Sequence, residues 1–195
     1  MRIARTFIGA LLPLLLMINS GCQTAPPPLG ALELVQAELP KLGHRNWIVI
    51  ADSAYPWQSR PGIQTIVSSG DQIETVKSVL DAIDHTRHVR ANIFLDAELP
   101  HVAESDAPGV TQYRDELSKV IGGNAQSVPH EQIIAKLDEA AQVFHVLIIK
   151  TNLTIPYTSV FLQLDCAYWG ADAEKRLRDA MGPFDKLRTG PTTAK

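Results

Sequence analysis

Apolar residues recur along this chain in two rhythms, and their alternation predicts the fold. Residues 47–51 form an unbroken apolar run, which predicts a strand buried on both faces. Residues 146–149 repeat that pattern, while Val160, Leu162, Leu164 and Cys166 alternate as a later strand would. Shorter strands are predicted over 63–67 and 91–96. Between them the period lengthens. Leu32, Leu34, Val35 and Leu39 mark a first helix that Pro40 ends, and Ile73, Val76, Leu80 and Ile83 mark a second. Residues 111–121 read as a third, with Tyr113, Leu117 and Val120 inward. A fourth follows His130 through Ile133, Ile134, Leu137 and Ala141, and a surface helix is predicted over 172–181. This mixing predicts a layered α/β domain rather than a sandwich or a bundle.

The first thirty residues follow neither rhythm. Arg2 and Arg5 precede an apolar run over 7–18 that is too short to span a bilayer, and Asn19-Ser20-Gly21-Cys22 follows it. That is the pattern of a bacterial export signal over 1–21, with Cys22 as the acylated first residue of a mature lipoprotein. Asn19 departs from it, because an aliphatic residue usually stands three places before the cysteine. Residues 22–30, with Pro26-Pro27-Pro28, suit an extended tether. The expected location is the cell envelope, facing the periplasm, and Gln23 after the cysteine points to the outer membrane. The folded domain is expected over 31–170. Residues 171–195 then hold the last helix and a tail with little to pack.

Charge and cysteine content narrow the chemistry. The net charge of -3 becomes about -5 once the signal is removed, and no Lys/Arg cluster stands out, so a nucleic-acid partner is not expected. With Cys22 lipidated, Cys166 is the only other thiol and no internal disulfide forms; it reads as a buried small apolar residue. His85, His88, His101 and His145 have no metal-ligand spacing, and Gly122-Gly123-Asn124 lacks the flanks of a phosphate loop. Neither a metal nor a cofactor is expected.

Three short segments carry candidate chemistry. Leu42-Gly43-His44 leads into the strand over 47–51, which ends in Asp52-Ser53-Ala54-Tyr55-Pro56. His44 and Asp52 thus lie a strand length apart and need partners from elsewhere to share a pocket. Pro129-His130-Glu131-Gln132 opens a helix, and Pro156-Tyr157-Thr158-Ser159 opens the last strand. Imidazole, carboxylate and phenol are together enough for general acid and base catalysis on a neutral ligand, since a histidine of ordinary pKa, about 6.5, gives or takes a proton near neutrality. Structural roles compete with each assignment. His44 also suits a helix end, Asp52 a turn, His130 a solvated first turn and Tyr157 a packed strand entry.

In the order and type of these motifs the chain resembles the ribose pyranase and fucose mutarotase family over most of 32–164. The resemblance implies a three-layer α/β/α domain with a mixed sheet, assembled into a cyclic homo-oligomer. It implies a cofactor-free isomerase acting on a free monosaccharide. By position, His44 would be the proton donor, and Asp52, His130, Tyr157 and Ser159 would bind the sugar. Two departures bear on activity. Asn46 stands where the family usually has an aspartate two residues after the histidine, and Ser159 stands where it usually has asparagine. A non-catalytic sugar-binding lipoprotein, or a purely structural one, therefore stays open beside the isomerase.

Overall fold

The computed structural model describes residues 31–68 and 70–181. The expected signal, Cys22, the tether and the tail from 182 onward lie outside those residues. Six strands and five helices follow in the order α1 (Ala31–Glu38), β1 (Trp47–Ala51), β2 (Ile63–Val67), α2 (Gln72–Asp84), β3 (Val89–Asp96), α3 (Val110–Ile121), β4 (Gln126–Val128), α4 (His130–Ala140), β5 (Val146–Lys150), β6 (Val160–Cys166) and α5 (Ala171–Met181). Single 3-10 turns at Leu39–Lys41 and Leu99–His101 each contain a proline. The strands form one sheet in the order β2-β5-β1-β6-β3-β4. β6 runs antiparallel to both β1 and β3, while β5 is parallel to β1 and β2, and β4 to β3. The sheet is therefore mixed, with β6 alone reversed.

Its strands alternate between two apolar layers, as the two-residue period requires. Ile48, Ile50, Leu147, Ile149, Leu162 and Leu164 pack on one side against Val35, Val76, Val79, Ile83, Val110, Tyr113 and Leu117 of α1, α2 and α3. On the other side Trp47, Val49, Val146, Ile148 and Phe161 meet Ile133, Leu137 and Ala141 of the α4 segment. The result is the three-layer α/β/α arrangement. β1 is wholly buried, because it lies at the centre of the sheet with helices over both faces.

The structure departs from the sequence reading in detail. The inward face of α3 holds Tyr113, Leu117 and Val120 as expected, with Val120 only partly buried, and adds Val110 and Ile121. Cys166 is half-buried rather than buried, because β6 leaves the core near its end. β4 was not expected. Its three residues, Gln-Ser-Val, carry no apolar period and join the sheet through β3.

Candidate functional site

β1, β3 and β4 run in the same direction, so their carboxy ends lie along one edge of the sheet. Three acceptor-bearing residues follow from this: Asp52 just beyond β1, Asp96 at the end of β3, and His130 two residues past β4. The backbone N–H of Ala97 donates to the Val128 carbonyl at 2.9 Å, which holds the ends of β3 and β4 side by side. The His130 imidazole then meets Asp96, with Nδ1 3.0 Å from Oδ1. Asp96 is 1% exposed, whereas a third of the His130 side chain reaches solvent.

Each part of this corner is held from behind. Pro129 has no side chain able to cap α4, and both carboxylate oxygens of Glu98 accept instead from the His130 N–H, each at 3.1 Å. Asp52 Oδ1 accepts from the Ala54 N–H at 2.8 Å and tightens the turn that carries Tyr55. Beneath the Tyr157 loop lies a buried polar knot. Tyr113 Oη donates to the Thr158 carbonyl at 2.6 Å, and Thr151 Oγ1 donates to Gln72 Oε1 at 2.7 Å, while Gln72 Nε2 donates to Tyr113 Oη at 3.1 Å. Gln72 is completely buried at the start of α2, so this knot ties α2 and α3 to the segment before β6. Tyr157 leaves that segment with a φ of 58°, a left-handed conformation that an aromatic residue rarely adopts. Its ring meets the His130 ring edge to face, with centroids 5.5 Å apart.

These residues border an open cleft of about 470 Å³ lined by Asp52, Tyr55, Gln58, His130, Thr154 and Pro156, among others. Beside it, the buried Oδ2 of Asp96 has no hydrogen-bond partner among the described residues. Burial raises the Asp96 carboxyl above the usual aspartate range, and the hydrogen bond and charge of His130 oppose that shift. Burial, followed by the charge of Asp96, likewise pushes the Tyr55 phenol up. Tyr55 is thus a neutral hydroxyl at neutral pH, with its Oη buried beside Gln58. A larger cleft of about 740 Å³ between α1 and α2 has a different character. Its two histidines bond backbone carbonyls, His85 to Asp81 and His88 to Leu39 and Leu42, so they hold structure rather than face a ligand. Among the described residues no group of three or more His, Cys, Asp and Glu is placed to hold a metal ion.

The residues singled out in the sequence divide into two sets. Asp52, His130 and Tyr157 come together at the carboxy edge. Ser159 is 2% exposed at the entry to β6 and does not line the cleft. His44 lies at the opposite edge, before β1, and the five residues of that strand separate it from Asp52 by about 16 Å. There its Nδ1 lies 3.8 Å from Asp165, whose carboxyl is held below the usual range chiefly by hydrogen bonds from Arg90. Asn46 does not orient the histidine. Its Oδ1 accepts from the Gly43 N–H at 2.7 Å and its Nδ2 donates to the His145 carbonyl at 3.2 Å, a pairing that a carboxylate cannot make. The sequence reading missed Asp96, Tyr55 and Gln72 as parts of the site. Asp96 had a visible signal: it ends an apolar strand, as Asp52 does.

Comparison with known proteins gives a family match and several structural likenesses. The model of the RbsD / FucU transport protein family matches residues 33–166. The fold is similar to that of Bacillus subtilis RbsD complexed with D-ribose, at 18% identity and a TM-score of 0.48, over 72% of this chain and 98% of that one. It is also similar to the fucose mutarotase from Streptococcus pneumoniae in complex with L-fucose, at 18% identity and 0.45, over 66% and 89%. FucU from Bifidobacterium longum is similar at 20% identity and 0.46, over 68% and 92%. None of the curated proteins compared matches the chain.

Proposed function

Because this chain belongs to the RbsD / FucU transport protein family, matched over residues 33–166, we propose that it binds a free monosaccharide and interconverts its ring forms or anomers by proton transfer, without a cofactor. The observation that supports this most is the His130–Asp96 pair opening on a polar cleft beside Asp52. Asp52 offers an acceptor to sugar hydroxyls, and the exposed Tyr157 ring offers an apolar face at the rim. The bland reading of His130, a solvated first-turn residue, sits poorly with a ring held on one side by a buried carboxylate and on the other by Tyr157.

His44 enters this site only from another copy. Both edges of the sheet carry an imidazole beside a carboxylate, and one chain cannot bring them together. In a cyclic homo-oligomer, the amino edge of one subunit docks on the carboxy edge of the next, and His44 supplies the proton donor to the neighbouring cleft. The proposed setting is the cell envelope, with the domain tethered through lipid on Cys22.

Saturation-transfer NMR on free pentoses and hexoses tests the activity. Exchange between ring forms should accelerate by about 10² to 10⁴-fold for at least one sugar, and His44→Ala should remove the effect while leaving the fold intact. Tight sugar binding with no acceleration for any sugar would favour a receptor instead, a reading to which the backbone-tied Asn46 and the buried Ser159 lend support.

A further inference from the structure

Ring opening needs two proton transfers, and His44 supplies only one of them. We infer that His130 is the second proton-transfer group, acting as base through Nε2, and that Asp96 is its positioning residue, which fixes the proton on Nδ1. The inference rests on the proposed sugar isomerisation.

Three contacts fix the imidazole. Glu98 anchors the backbone of His130, Tyr157 meets its ring, and Asp96 accepts at Nδ1. Among the described residues Nε2 meets no protein partner, and the side chain borders the cleft. An ionised carboxylate accepts only, so a hydrogen bond from a neutral imidazole to Asp96 requires the proton on Nδ1 and leaves the Nε2 lone pair for substrate. A merely structural pair would be better served by other residues. Asp96 is buried, its Oδ2 has no partner among the described residues, and the hydrogen bond and charge of His130 favour its ionised form against the cost of burial.

The steps balance without any oxidant or reductant. His130 Nε2 takes the proton of the anomeric hydroxyl, and the electron pair of that O–H bond forms the C=O bond. The bond from the anomeric carbon to the ring oxygen breaks, its pair stays on that oxygen, and His44 of the neighbouring copy protonates it. Reclosure on either face of the carbonyl runs the same transfers backward and restores both imidazoles.

The test combines a spectroscopic and a kinetic readout on the full chain. In the wild-type protein near neutral pH, ¹⁵N shifts of His130 should show Nδ1 protonated and Nε2 bare. Asp96→Asn should shift that population toward the other tautomer and lower kcat about 10²-fold with KM changed by less than about 3-fold. His130→Gln should abolish the acceleration while sugar still binds. The spectrum of the wild type needs no variant to fold, and a proton on Nε2 there overturns the inference. Acceleration kept in His130→Gln overturns it too, while leaving the isomerase reading in place. If the wild type accelerates no sugar, the isomerase reading itself fails, and the role of His130 as base fails with it.

Discussion

At the scale of single residues, function and stability pull against each other at Asp96. Burial raises its carboxyl in the folded protein, so folding favours the protonated form. That contribution to stability is fully present below the ordinary aspartate range and is lost as pH rises through the folded value. Asp96→Asn should therefore match or exceed wild type by about 1 kcal/mol at pH 8, with the difference narrowing toward acid, even as activity falls. Urea denaturation across pH checks this; a variant that is weaker at every pH would make Asp96 a structural anchor. The pair was only half legible in the sequence. His130 announced itself by the Pro129-His130 helix start, but which carboxylate faces it depends on β3 and β4 lying parallel, and β4 has no apolar pattern to reveal that. His44 was the converse case. Its separation from Asp52 followed from the length of β1, whereas its neighbour Asp165 comes from a strand that runs back antiparallel beside it.

Elements were legible where burial dictates composition. β1 and β2 have the boundaries that their apolar runs predict, and the helices differ by a residue or two, since helix ends are set by caps rather than by the buried stripe. α4 shows what a single sequence hides. Its cap is Glu98, thirty-two residues before the His130 N–H that it accepts from. Glu98→Ala should cost about 1 kcal/mol, a typical loss for a missing helix cap, and should release protection of the first amides of α4 in hydrogen exchange. The same loosening should move His130 off Asp96 and lower turnover. Unchanged exchange at α4 would mean that Pro129 suffices to start the helix.

For the whole molecule, the two half-sites at opposite edges of one sheet make assembly a requirement of the proposed activity. Light scattering on the signal-free domain should give a closed oligomer, and a strict monomer at micromolar concentration would leave His44 with no cleft to serve. Beyond residue 166, where the family match ends, α5 adds an exposed charged helix against which that assembly must fit. For the envelope setting, mass spectrometry of the mature protein should find a diacylated Cys22, with Cys22→Ala released from membranes or left unprocessed; an unmodified amino terminus elsewhere would contradict it. The central claim is a sugar-isomerising site shared between copies. Its most direct test co-expresses His44→Ala with His130→Gln, each inactive alone, and measures sugar exchange by saturation transfer in the purified mixed oligomers. Random mixing restores both imidazoles at roughly one interface in four, so the account predicts about a quarter of wild-type acceleration. Mixed oligomers as inactive as their parents would contradict it.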